Sequence, residues 1–200
     1  MAKDENAAAA ADSQGDAMAR LVEALGPRKG RGPAPVERWN PPYCGEIDMR
    51  IEADGTWFYM GTPIGRPALV KLFSTVLRRD PERFVLVTPV ERIGIAVADA
   101  PFAAVEMAVE GDGEGRSLAF RTNVDDLVEV GPDHPLRFEV GDADGVKPYI
   151  LVRGGLWARL TRALTYDLLD LGEERLVEGR SAFGIAAGGA FFTVPQDPAA

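Results

Sequence analysis

This chain of 200 residues contains one cysteine and one histidine, the side chains that most often hold transition metals. Cys44 alone excludes an intrachain disulfide, and one cysteine with His134 cannot supply the ligand set of a zinc centre. Cationic residues are the minority, 22 against 31 acidic, and the net charge of −9 opposes the long-range attraction that brings proteins to phosphate backbones or anionic lipid. Neither nucleic acid nor membrane is an expected partner. Long apolar runs are also missing. The longest uncharged one, Ala182–Val194, is shorter than a helix needs to cross a bilayer core of about 30 Å, and Gly184, Gly188 and Gly189 interrupt it. No leader of the secretory kind is read at the start, so a reducing cytoplasm is the expected location. No serine sits in a Gly-x-Ser-x-Gly turn, and nothing in the chain calls for a cofactor.

The hydrophobic content, 46%, is enough to build a core. Residues 1–36 read as a flexible start, a short amphipathic helix and a connector. Met18, Leu21, Val22 and Leu25 recur at helical spacing after Ser13 and Asp16, and Gly26-Pro27 stops the run. Prolines and glycines over residues 27–42 then exclude helix and central strand, with Trp39 and Tyr43 placed to pin the connector. Alternation over Glu46–Glu52, the Asp54-Gly55 turn and the aromatic run Thr56–Met60 predict a hairpin. Arg66-Pro67 opens a helix whose apolar side is Leu69, Val70, Leu72, Phe73, Val76 and Leu77 and which Asp80-Pro81 ends. Phe84–Thr88, Glu91–Val97, Phe102–Glu110 and Ser117–Asn123 read as strands.

A second series of landmarks follows in the same order. Arg50-Ile51-Glu52 answers to Arg137-Phe138-Glu139, Arg66 and Leu69 to Arg153 and Leu156, and Ile93–Ala96 to Phe183–Ala186. This ordered recurrence predicts an internal repeat. In the second copy, strands at Leu136 and Lys147–Val152 precede a long helix, Leu156–Leu171, striped by Trp157, Leu160, Leu164, Leu168 and Leu171. A closing hairpin spans Ser181–Val194 around Gly188-Gly189. Strands outnumber helices and tight turns join them, so the expected class is α+β: two repeated units of curved antiparallel sheet, each packed around one helix, over residues 37–132 and 133–200.

Trp39-Asn40-Pro41-Pro42, Cys44-Gly45-Glu46-Ile47-Asp48, Asp54–Tyr59, Gly61-Thr62-Pro63-Ile64 and Arg66-Pro67 together resemble the signature stretch of a bacterial family catalogued as domain of unknown function 1285. The likeness continues through Leu86–Glu91, Ala100-Pro101, Phe120–Asn123 and Arg153–Leu156, and covers roughly residues 37–195. It implies two related α+β units in which curved sheet wraps a helix. It implies no activity.

The candidate site residues are arginines. Arg66 and Arg153 are each expected at a helix N-terminus, where free N–H groups and the helix dipole favour an anion and a guanidinium adds charge and a forked donor. The alternative ties each to a carboxylate of its own unit, Glu52 or Glu139. Arg121 and Asn123, on one strand face, would join such a pocket or satisfy loop carbonyls instead. Glu46 and Asp48, two apart on a strand, could bind a cation or act as an acid and base but read as a solvated face, and the acidic turns Asp112–Glu114 and Asp142–Gly145 lack the full ligand pattern of a calcium loop. No acid, base and nucleophile assemble into a catalytic set. The reading is a binding module without catalysis, taking a small anionic ligand or acting in signalling. A protein-interaction or self-association module is the alternative, with the N-terminal helix and the closing hairpin as its surfaces, and an enzyme of unidentified reaction comes last.

Overall fold

Alternating polarity sets the first strand. In the computed structural model Met49 and Ile51 are buried while Glu46 and Asp48, one step out of phase, are exposed. The structure describes residues 22–23, 33–141 and 145–195. It divides into two compact units, one running to Glu52 and resuming over Thr56–Ala98, the other comprising Ala53–Gly55 and the chain from Asp99 onward.

The first unit consists of β1 (Tyr43–Ile51), β2 (Trp57–Tyr59), β3 (Thr62–Pro63), helix α1 (Pro67–Ser74), β4 (Leu77–Asp80), β5 (Arg83–Val87) and β6 (Arg92–Val97). Its six strands lie in the order β3-β2-β1-β6-β5-β4, antiparallel except at the centre, where β1 and β6 run parallel. Met49, Ile51, Trp57, Phe73, Leu77, Val85 and Leu86 form its core. Helix α1 contributes Phe73, whose ring stacks on Trp57 with centroids 6.2 Å apart. The connector is held by a residue that composition does not single out. Buried Arg78 donates from Nη1 to Val36 O at 2.9 Å and Trp39 O at 2.6 Å, and from Nε to Asp80 at 2.8 Å.

The second unit runs through β7 (Phe102–Glu110), β8 (Ser117–Thr122), β9 (Leu127–Glu129), β10 (Leu136–Val140), β11 (Val146–Arg153), β12 (Leu156–Leu160) and helix α2 (Arg162–Leu169). A three-stranded antiparallel meander of β13 (Glu173–Val177), β14 (Arg180–Ala187) and β15 (Ala190–Thr193) follows. The six-stranded sheet has the order β10-β11-β12-β7-β8-β9, and its single parallel pair is β12 with β7. Counted outward from the parallel pair, β1 through β6 correspond one by one to β7 through β12. The two units therefore repeat a topology: two three-stranded meanders joined by the parallel pairing of the first strand with the last. The boundary falls at Ala98/Asp99 rather than 132/133, because the β7–β8 hairpin pairs with β12 through Ala158↔Phe102 and Leu160↔Ala104.

The residue matches that suggest a repeat have the wrong register. They set Arg50 of β1 beside Arg137 of β10, Leu69 of a helix beside Leu156 of a strand, and Gly94 of β6 beside Gly184 of β14. The helix stands between β3 and β4 in the first unit and after β12 in the second. Both helices are also shorter than their apolar periodicity suggests. α1 ends at Ser74, where the Ser74 and Thr75 hydroxyls donate back to Lys71 O and Leu72 O at 2.8 and 2.7 Å, and Leu77–Asp80 departs as a strand paired with β5. Leu156–Leu160 is a strand with Leu156, Ala158 and Leu160 buried and Trp157 and Arg159 half-exposed. Leucines at 156, 160, 164 and 168 satisfy a strand's period of two as well as a helix's near four. Thr161, at φ −61° and ψ 159°, is where the strand stops and the helix starts.

The closing hairpin forms as expected, with both Gly188 and Gly189 at positive φ, but Ile185, Ala186 and Ala187 are buried, so it offers no exposed apolar patch. The expected N-terminal helix lies outside the described residues except for Val22 and Glu23, which are helical and exposed. No helix among the described residues is long and apolar enough to cross a membrane.

Candidate anion-binding cleft

The four residues chosen from the sequence do not converge. Arg66 is the N-cap of α1, exposed, with no side-chain partner among the described residues, and it lines neither of the clefts described below. Arg153 ends β11 in an irregularity opposite Leu156, followed by Gly154 and Gly155 at φ 48° and 75°, and is not at a helix N-terminus. Its Nη1 donates to Asp126, and its guanidinium lies 4.9 Å from the Phe102 ring centroid. Arg121 is saturated: both ends of the Glu106 carboxylate accept from its Nε and Nη2, and Asp125 accepts from Nη1 at 2.9 Å. This pairing holds the Glu106 carboxyl below its ordinary range. Asn123 is a backbone clip, accepting from Ala103 N at 3.1 Å and donating to Gly55 O at 3.3 Å. Glu52 and Glu139 bind neither Arg66 nor Arg153; Glu52 pairs with Arg50 at 2.6 Å and Glu139 with Arg137 at 3.0 Å.

A different set of cations does converge, in the second unit. Gly141, the start of β11 from Gly145, the end of β12 and one side of α2 enclose about 650 Å3, lined by Lys147, Arg159, Arg162, Thr165 and Tyr166 with apolar Val146, Pro148, Leu160 and Leu169. No carboxylate stands among the described lining residues. Local sequence places each group. Lys147 is the second residue of β11. Arg159 projects opposite to buried Ala158 and Leu160. Thr161 caps α2 by accepting from Leu164 N at 3.5 Å, which sets Arg162 and, one turn on, Tyr166 along the helix. Arg162 Nη2 donates to the Tyr166 phenol at 3.3 Å, an interaction that raises the guanidinium's affinity for its proton. Arg159 is oriented from behind: its Nη1 donates to Asp99 Oδ2 at 2.9 Å, and the buried Tyr149 phenol donates to Asp99 Oδ1 at 2.9 Å. Glu139, opposite Lys147 on β10, is occupied by Arg137.

The first unit has a smaller cleft of about 440 Å3 lined by Tyr43, Asp80, Pro81, Glu82, Arg83 and Arg92. Its charges are internally matched. Asp80 accepts from Arg92 at 3.1 Å and from Arg78, Glu82 lies 3.9 Å from Arg83, and both lining arginines approach the Tyr43 ring. Elsewhere Glu46 and Asp48 form an exposed strand face, Cys44 is exposed, and His134 Nδ1 is within 3.0 Å of Leu151 O as an ordinary turn residue. Among the described residues no three His, Cys, Asp or Glu side chains cluster as metal ligands.

The sequence reading missed Lys147, Arg159, Arg162 and Tyr166, because a helix begun at Leu156 puts Arg159 and Arg162 on its solvent face. The available signal was Thr161-Arg162, a capping residue in the middle of the supposed helix.

Models of the DUF1285 family, "domain of unknown function", match the chain with an N-terminal domain over residues 34–100 and a C-terminal domain over residues 101–194. The chain belongs to the DUF1285 family. The boundary between the two DUF1285 domains falls within two residues of the division between the compact units at Ala98/Asp99. A crystal structure of a DUF1285 family protein from Silicibacter pomeroyi DSS-3 is 47% identical, covers 88% of this chain and 95% of its own, and superposes with a TM-score of 0.81. Another DUF1285 family protein, from Shewanella baltica OS155, is 27% identical over 62% of this chain and 91% of its own, with a TM-score of 0.50. No curated protein matches the chain.

Proposed function

We propose that this DUF1285 chain is a cytoplasmic module that binds a small anionic ligand in the cleft of its second unit and acts in signalling without a catalytic step. One observation carries the reading: in a protein of net charge −9, Lys147, Arg159 and Arg162 line a single concavity with two hydroxyl groups and no described carboxylate among them. Cations gathered against the sign of the whole molecule make a local positive potential, and a walled cleft concentrates that field. The volume lies within the range of small-molecule sites, about 300–1,000 Å3. A guanidinium held from behind by a carboxylate, as Arg159 is by Asp99, is preorganised to present its remaining donors.

A thermal-shift series with phosphate, citrate and nucleoside phosphates tests the reading, since a ligand that binds only the folded state raises the melting temperature by mass action. Arg162→Gln and Lys147→Gln should each weaken the response. No response to any anion, or a response undiminished from wild type in both variants, overturns it. The interaction reading is supported by Leu176, which is 80% exposed on edge strand β13. Leu176→Glu should then abolish any concentration-dependent association seen in sedimentation.

A further inference from the structure

We infer that the anion taken by the second unit's cleft is carried on a flat ring, as in a nucleoside monophosphate or an aromatic carboxylate, and that Tyr166 is the surface on which the ring stacks. The inference rests on the anion-binding reading above and adds the ligand's body to its charge.

Size is the first consideration. A bare inorganic anion displaces the space of only a few waters, each about 30 Å3 in the liquid, and would leave most of the roughly 650 Å3 unfilled. The wall chemistry is the second. Beside the cationic groups the cleft is lined by Val146, Pro148, Leu160 and Leu169, none of which serves a hydrated ion. Tyr166 is the third. It is 56% exposed although it borders the cleft, and it sits one helical turn beyond Arg162, whose guanidinium lies 5.8 Å from the ring centroid. The Arg162 contact is made at the Tyr166 hydroxyl, and the residue as a whole stays more than half exposed, so its ring is available for stacking. A ligand whose charged group meets Lys147, Arg159 and Arg162 and whose ring lies on Tyr166 uses both chemistries. A scattered surface tyrosine would need no such company.

The test compares ring-bearing and bare anions in matched pairs, adenosine monophosphate against inorganic phosphate and benzoate against acetate, by thermal-shift titration of the full chain. In at least one pair the ring-bearing member should reach half-maximal stabilisation at a concentration lower by about fivefold or more, the lower end of what stacking one base on an aromatic contributes. The pair showing the gap identifies the charged group. Tyr166→Ala should close that gap, Tyr166→Phe should keep it, and Arg162→Gln should weaken both members of the pair. Because Tyr166 is exposed, neither of its variants should impair folding. Equal binding of ring-bearing and bare anions, or a gap that survives Tyr166→Ala, overturns this inference and leaves the anion reading standing. Absence of binding by all four compounds overturns this inference, and silence from citrate and the other nucleoside phosphates as well overturns both.

Discussion

The Tyr149 phenol donates to Asp99 Oδ1 at 2.9 Å, and the other oxygen of the same carboxylate accepts from Arg159 at the same distance. Burial, then the hydrogen bond and charge of Asp99, hold the Tyr149 phenol well above the ordinary tyrosine range. A folded pKa above the unfolded one favours the protonated form. Its stabilisation is therefore fully present below the unfolded value of about 10 and is lost as pH rises through that value toward the folded one. Tyr149→Phe should cost about 1.5–3 kcal/mol at neutral pH, the range for a hydrogen bond to a charged group, and should decline less steeply than wild type above pH ~10. Urea unfolding across pH 7 to 11 measures both. Parallel alkaline limbs would mean that another group titrates there.

Phe73 is the part of α1 that the first unit needs. It is fully buried and stacked on Trp57, whereas Leu69 and Leu72 on the same helix are only half-buried. Phe73→Ala should cost about 3–5 kcal/mol in urea unfolding. Leu69→Ala should cost distinctly less, because partial exposure leaves less apolar surface to lose and lets solvent fill the space. Equal losses would mean that the whole apolar stripe of α1 is core.

Thr161 separates the two readings of Leu156–Leu171 by the sign of its effect. Inside a continuous helix, replacing threonine with alanine stabilises, because alanine is the better helix former. As the cap of a helix starting at Arg162, it accepts from Leu164 N, and its loss should cost about 0.5–2 kcal/mol. Thr161→Ala is expected to destabilise, with Thr161→Ser close to wild type.

Hairpins were the legible part of this fold. β7, the β8 strand, β14 and β15 follow from alternation and glycine turns, signals that act within a few residues and that tertiary context does not overrule. The helix ends were not legible, because Val76-Leu77 and Leu156/Leu160 fit either period, and which one wins depends on pairing with β5 and with β7 and β11. The repeat could be sensed, but its register could not: similar strands recur at several offsets, and only the parallel pairs β1/β6 and β7/β12 fix which strands correspond. The same dependence hid the cleft. On local pattern Arg66 and Arg153 share a place at helix starts, which in the structure only Arg66 has. Lys147, Arg159 and Arg162 come together through a strand pairing, Tyr149↔Arg159, that no local pattern announces.

Three arginines should therefore behave differently when neutralised. Arg153 is paired with Asp126, packed on Phe102 and only 21% exposed, so Arg153→Met would strand a half-buried carboxylate and should cost about 1.5–3 kcal/mol. It should leave any anion response intact. Arg162 is exposed, and Arg162→Gln should change intrinsic stability by no more than about 0.5 kcal/mol while removing most of the response to anions. Arg66→Gln should change neither quantity, because its side chain is exposed at the start of α1 and lines neither described cleft. Melting temperatures of the three variants with and without the best anion decide the matter. A response lost in Arg66→Gln and kept in Arg162→Gln would return the site to the start of α1, and one lost in Arg153→Met without loss of stability would place the ligand against β11 and Asp126.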